Sequence, residues 1–342
     1  MYLEYEPVAA ALSYERELSH PEVVLVFDFG GGTLDFTVIE IGAPGRRRVL
    51  ATGGIPVAGD VFDQRLFRAT IPRHLGEGDT FQVGGARYPI PAHIFDSLTR
   101  PEEVLSLNTP QMLDTLRQIH QGARDRRKTQ ALLKVVSSNY ALLMFDLVEQ
   151  AKRRLSDTEE TLIEVETADF SLQERVTRKR FEHAIREETH AIRKELLRTL
   201  ESSGLQAGQI DRVIRTGGSS QIPLFTDLLN EIFGAEKVRA INTFSSVTSG
   251  LAILGREIAA GQAELQAYTR EGHQGSGETS HRGGDADVRP VDLDAVLKRL
   301  EVTRLFEQGR AAVPEHVLFS LTGGSFRVWP LPEGGKNGDG QP

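Results

Sequence analysis

Asp28-Phe-Gly-Gly-Gly-Thr33 places three consecutive glycines behind an acidic residue and between two runs of strand-forming residues. Glycine lets the backbone approach an anion closely and turn successive N–H groups toward it, as a phosphate requires. Asp28, at the strand end, is then in place to hold magnesium through water. The spacing is not that of a P-loop, which ends in GK[ST], and no helix follows as a dinucleotide-binding turn demands. The element reads as a strand–turn–strand phosphate hairpin. Taken alone, three glycines between strands serve equally as a tight turn.

Two further sets carry chemistry. Glu149, Lys152, Arg153 and Ser156 fall at i, i+3, i+4 and i+7, which puts all four on one helix face able to grip a ribose and a base. The same periodicity describes a solvated charged face with a helical salt bridge. Gly217-Gly218-Ser219-Ser220 follows a short apolar run and precedes an amphipathic one. It offers close backbone approach to a nucleoside, with Ser219 or Ser220 capping the next helix, or a plain strand-to-helix turn.

The elements that must hold these residues follow from patterning. Val23-Val-Leu-Val-Phe27 suits a buried central strand, Leu34–Ile41 a second, and Val49–Ile55 a third. Pro7 at a first helical position makes Glu6–Ser13 a short helix leading into the first strand. Phe62–Ile71 is helical up to Pro72, and 72–131 is a proline- and glycine-punctuated insertion. Long helical patterns run from Gln111 to about Ser156 and again from Phe181 to Leu200, bracketing a strand at Thr161–Thr167. Arg212–Thr216 is a strand, and Leu224–Phe233 a helix stopped by Gly234. Residues 270–290 read as a flexible linker, and 291–332 as a small helix plus a hairpin across Thr322-Gly-Gly-Ser325.

Composition excludes several classes. With 39% hydrophobic residues in 342, the chain can bury a sizeable core. No cysteine is present, so disulfides and thiolate metal sites are impossible, and the nine histidines lack zinc spacing. A net charge of −8 argues against broad nucleic-acid binding, although Arg124-Asp-Arg-Arg-Lys128 forms a local basic cluster. The first residues lack a signal-peptide pattern, and no run approaches the ~18 apolar residues of a membrane span. A cytoplasmic location without membrane contact is the expectation.

Asp28-Phe-Gly-Gly-Gly-Thr-Leu-Asp35, Glu149-Gln-Ala-Lys-Arg-Arg-Leu-Ser156 and Gly217-Gly-Ser-Ser-Gln-Ile-Pro223 together resemble, in order and spacing, the ATPase domain of the DnaK-type heat-shock chaperones, the heat shock protein 70 family. Glu6-Pro-Val-Ala-Ala-Ala11 and Ala58-Gly-Asp-Val-Phe-Asp-Gln-Arg65 add to the likeness, which covers roughly Glu6 to Gly255. The resemblance implies an α/β, actin-like (ribonuclease H-like) ATPase fold, mainly its second lobe at 21–260, with 1–20 a helix remaining from the first. It implies ATP or ADP with Mg2+ as cofactors. Gly30, Gly31, Gly32 and Thr33 would meet the β- and γ-phosphates, Asp28 would ligate magnesium through water with Glu6 nearby, and Gly59 and Asp60 would flank the cleft. Glu149, Lys152 and Ser156 would hold ribose and adenine, Arg153 would stack on the base, and Gly217, Gly218, Ser219, Gln221 and Ile222 would form the opposite wall.

The sequence departs from the family pattern at Gln221, where an arginine is usual, and at Thr243-Phe244 after Asn242, where Pro-Asp is usual. Only 27 residues precede Asp28, so the first lobe, with its phosphate loop and lysine, is expected to be missing. Hydrolysis is then expected only if that lobe is supplied. Co-chaperone or exchange-factor-like partners are implied, but no peptide client, and the likeness is nearest to short bacterial DnaK-like proteins. A non-catalytic interaction module and another member of the actin and sugar-kinase superfold remain the rival readings.

Overall fold

The computed structural model describes residues 2–15, 18–42, 47–241, 250–257, 260, 317–322 and 325–330. Strand β1 (Tyr2–Tyr5) runs directly into helix α1 (Glu6–Glu15), followed by the strands β2 (Glu22–Phe29), β3 (Leu34–Ile41) and β4 (Arg48–Ile55). These three form an antiparallel meander, as short turns between successive strands dictate. The strand β2, apolar almost throughout, takes the interior position that its composition demands.

Side chains alternate across this sheet. Leu25, Phe27, Phe29, Leu34, Phe36 and Val38 face one core. Val24, Val26, Ile39 and Ile41 face another, closed by Val8–Ala11 of α1 and by Leu251 of a helix at 250–257. A Cβ on Gly250 would lie 1.7 Å from the Ala9 carbonyl oxygen, so only glycine lets that helix start against α1.

Helix α2 (Gly59–Thr70) leads into the segment expected as an insertion. It contains the hairpin β5 (Thr80–Val83) and β6 (Ala86–Pro89), then helices α3 (Ala92–Leu98), α4 (Pro101–Val104), α5 (Pro110–Gly122) and α6 (Arg126–Ser137). Its apolar residues Ile90, Ile94, Phe95, Leu116 and Ile119 join the larger core, so the segment is continuous with the rest. The helical stretch from Gln111 onward is broken twice. Asp125 caps α6, and Asn139, in the left-handed region at φ 55°, precedes α7 (Tyr140–Asp157).

Next comes an antiparallel hairpin, β7 (Glu160–Glu166) and β8 (Ser171–Thr177), of which only the first strand is legible in the sequence. The inward positions of β8 are Leu172, Glu174 and Val176, and the central glutamate masks the apolar alternation. Helices α8 (Arg178–Ala184) and α9 (Arg186–Ser202) follow. The strand β9 (Arg212–Thr216) then lies parallel to β2. Helix α10 (Pro223–Phe233) leads to β10 (Val238–Ala240), giving the sheet order β10-β9-β2-β3-β4.

The strands β11 (Val317–Thr322) and β12 (Ser325–Pro330) pair antiparallel, and β11 also pairs parallel with β1. The expected linker at 270–290, the helix following it, and Asn242-Thr243-Phe244 lie outside the described residues.

Candidate nucleotide site

The glycine turn sits on an aromatic platform. Phe29, the residue before Gly30, meets Phe225 of α10 with ring centroids 4.8 Å apart, and Phe225 stacks on Phe62 of α2 at 5.5 Å. Close packing leaves that base little freedom, which holds the turn's backbone in place.

Three chain segments converge there. The Gly30 N–H closes the turn onto the Thr33 carbonyl at 3.1 Å. From the start of α2, the N–H groups of Gly59 and Asp60 donate to the carbonyls of Gly30 and Gly31 at 3.4 and 2.8 Å. From the β9–α10 connection, the Ser219 hydroxyl donates to the Gly30 carbonyl at 2.7 Å. The turn's carbonyls are thus consumed from behind, while the Gly31 and Gly32 N–H groups donate to no acceptor among the described residues.

The glycines fall into two kinds. Gly217 adopts φ 86°, and a Cβ there would lie 2.1 Å from the Phe29 carbonyl oxygen, while one on Gly59 would lie 2.9 Å from the Ser219 hydroxyl. These serve close backbone approach. Gly32 and Gly218 differ, since a Cβ on either would meet nothing within 4 Å. They border open space, and Asp60, which is exposed, lies beside the first of the two turns with its N–H on the Gly31 carbonyl.

Two carboxylates meet at the base of the turn. Asp28 and Asp35 are direct partners in the β2–β3 ladder, and direct partners project from one face. The Thr33 hydroxyl donates to Asp35 at 3.0 Å. Burial raises the Asp35 carboxyl above its ordinary value, with the Thr33 hydrogen bond pulling the other way. On β9, Thr216 stands beside Asp28, and its hydroxyl is buried without a hydrogen-bond partner. Two acids and a spare hydroxyl fit a hydrated Mg2+, which needs few direct protein ligands. Among the described residues no three His, Cys, Asp or Glu side chains gather as a metal group.

The helix-face set divides. Lys152 is buried, its Nζ 2.6 Å from Asp63 and 3.1 Å from the Gly59 carbonyl. It braces the start of α2 against α7. The sequence alone does not single out Asp63, although it lies three residues beyond Asp60. Arg153 is 73% exposed at its side chain and pairs with Glu149 along the helix. Ser156 lends its carbonyl to Arg178 at 3.3 Å. Gln221 is exposed and Ile222 buried just past the second turn, and Glu6 begins α1, its side chain outside the described residues.

Comparison with known proteins fits this geometry. The sequence profile of the Hsp70 protein family matches residues 3–75 and 120–268. The chain belongs to the Hsp70 family, and its mixed α/β architecture is the family's actin-like ATPase fold, mainly the second lobe. It is similar to the chaperone protein DnaK of Thermus thermophilus, 29% identical over 256 residues, covering 72% of this chain and 33% of that protein. It is also similar to DnaK of Thermosipho melanesiensis, 30% identical over 304 residues, covering 86% of this chain and 39% of that protein. The chain thus spans 33% and 39% of the lengths of these two relatives.

Proposed function

We propose that the turns at Gly30–Thr33, Gly59–Asp60 and Gly217–Ser219 form one wall of a nucleotide cleft that binds ATP or ADP with Mg2+. The observation that carries this reading is the pair of unencumbered glycines, Gly32 and Gly218, whose backbone borders open space while the Gly30 and Gly31 carbonyls are tied down behind them. Bound Mg2+ would offset phosphate charge. The chain's own part is to point the Gly31 and Gly32 N–H groups at phosphate oxygens and to place Asp28 against the ion's water shell. Hydrolysis by the DnaK-like mechanism, through positioning and electrostatics, is proposed for the cleft once a facing wall closes it. Co-chaperone-like partners belong to the same reading.

A second reading, a non-catalytic binding module, rests on Lys152. The cation expected at ribose and base is committed instead to Asp63 and the Gly59 carbonyl, and Gln221 stands where the family usually has an arginine. Calorimetric titration with ADP, with and without Mg2+, tests nucleotide binding. Gly32→Val has room to fold but fills the space over the turn, so it should abolish Mg2+-dependent binding while leaving the melting temperature unchanged. Equal binding by that variant would overturn the assignment.

A further inference from the structure

The basic cluster Arg124–Lys128 plays no part in the nucleotide site. It borders a cavity of about 720 Å³ between the start of α6 and the turn at Gly78-Asp79-Thr80. Four cations, Arg124, Arg126, Arg127 and Lys128, line it against two carboxylates, Asp79 and Asp125.

Both carboxylates are already engaged. Asp125 caps α6, its Oδ1 accepting from the N–H groups of Arg127 at 3.1 Å and Lys128 at 3.3 Å. Asp79 pairs with Lys128 at 3.2 Å. Arg124, Arg126 and Arg127 are exposed and make no ion pair among the described residues. Most described arginines do, including Arg65, Arg73, Arg180, Arg193 and Arg212. In a chain of net charge −8, three neighbouring guanidinium groups without an ion pair beside a cavity are an exception.

The cavity's frame is fixed. A Cβ on Gly122 would lie 2.1 Å from the Gln82 carbonyl, and Phe81 forms a β-bridge with Ala123, which fastens the α5–α6 corner to β5. On the other side the Asp79 N–H bonds to the Gly76 carbonyl and the Ile90 N–H to the Asp79 carbonyl. Arg126 donates to the Gln121 carbonyl at 3.1 Å, which anchors its fork across the corner.

We propose that this corner is a docking surface for an acidic segment of a protein partner. Planar guanidinium groups on a fixed frame suit carboxylates, which they bind through paired hydrogen bonds. The Arg127 and Lys128 N–H groups at the helix start are spent on Asp125, so the recognition rests on side chains spread along the surface, as successive acidic residues of a peptide would engage them. The chain's overall negative charge opposes a long nucleic acid polyanion but not a short peptide. Docking at this corner is independent of nucleotide binding.

Fluorescence anisotropy of a labelled hexaglutamate peptide titrated with the full chain tests it. The triple variant Arg124→Glu, Arg126→Glu, Arg127→Glu should weaken binding by about tenfold or more, and raising NaCl from about 50 to about 300 mM should weaken wild type in the same direction. Arg175→Glu, which reverses an exposed cation on β8, should leave the affinity unchanged. If the triple variant fails to melt cooperatively, the corresponding triple change to Gln replaces it. Unchanged affinity in the folded triple variant overturns the proposal. So does tighter, equally arginine-dependent binding of duplex DNA of matched charge, which would make the corner a nucleic-acid surface.

Discussion

Lys152 on α7 and Asp63 on α2 form an ion pair of 2.6 Å in which both side chains are nearly out of solvent, at 10% and 13% exposure. Burial pushes the Asp63 carboxyl up to about 6, against the attraction of Lys152, with Glu149 and Asp60 adding to the rise. A carboxyl whose folded value exceeds its unfolded one binds more protons when folded. Its ionisation therefore costs stability as pH rises from about 4 through about 6. Lys152→Met should cost about 3 kcal/mol at neutral pH by leaving an unpaired buried carboxylate. Without Lys152 the Asp63 carboxyl keeps its proton to a still higher pH, so the loss should shrink as pH falls toward about 6 and level off below it, and Asp63→Asn should restore most of it. Thermal melts of both single variants and the double variant across pH check this; a pH-independent loss would mean that packing, not charge, was removed.

Asp28 and Asp35, opposed across the β2–β3 ladder, make the second prediction. Like charges directly opposite destabilise a sheet pair by a few tenths of a kcal/mol up to about 1 kcal/mol. Asp28→Asn should therefore raise the metal-free melting temperature slightly while removing the Mg2+-dependent part of ADP stabilisation. For wild type, MgADP at about a hundredfold excess over Kd should add about 2.7 kcal/mol. That corresponds to a rise of roughly 4 °C at this chain size. Retained Mg2+-dependent stabilisation in the variant, or its loss together with a lowered metal-free melt, would argue that Asp28 shapes the turn and does not hold an ion.

Adjacent glycines should behave oppositely. Gly217→Ala introduces a Cβ 2.1 Å from the Phe29 carbonyl oxygen at φ 86° and should cost about 2 kcal/mol or more. Gly218→Ala meets nothing within 4 Å and should fall within about 0.5 kcal/mol of wild type. Chemical denaturation of the pair distinguishes a structural from a ligand-facing glycine. A similar cost for both would show that the turn as a whole demands glycine.

The same contrast explains what the sequence makes legible. Strands β2, β3 and β9 with their glycine turns stand out because residue type and local spacing coincide, and Ala58–Arg65 packs beside the first turn through Gly59 and Asp60. Lys152 shares a helix arc with Glu149 and Arg153, yet its partner Asp63 lies 89 residues away, and nothing local marks which member of a charged face turns inward. Asn139 breaks a long helical pattern by taking a left-handed backbone that periodicity does not register. The pairing of β1 with β11 joins residues more than three hundred positions apart, beyond any local pattern. Strand β8 escapes notice because its inward face carries Glu174.

Glu174 is 1% exposed at its side chain and is contacted by Arg73, His74 and Arg180, the His74 Nε2 at 2.7 Å. Burial alone would raise its carboxyl, but hydrogen bonds from Arg73, His74 and Arg180 outweigh it and hold the group below its ordinary 4.5. A depressed carboxylate contributes stability that is present above the unfolded value and is lost as pH falls through the folded one, so the contribution should fade below about pH 4.5. Arg180 also donates to the Ala69 carbonyl at the end of α2, so this carboxylate ties the β7–β8 hairpin to the helix that begins at Gly59. Glu174→Ala should cost about 3 kcal/mol at neutral pH by stranding three donors around a cavity. Glu174→Gln, which keeps the shape and one acceptor, should cost less. If the tie reaches the nucleotide wall, Glu174→Gln should also weaken ADP binding at temperatures well below its melt. Unchanged calorimetric affinity there would confine the role of Glu174 to stability.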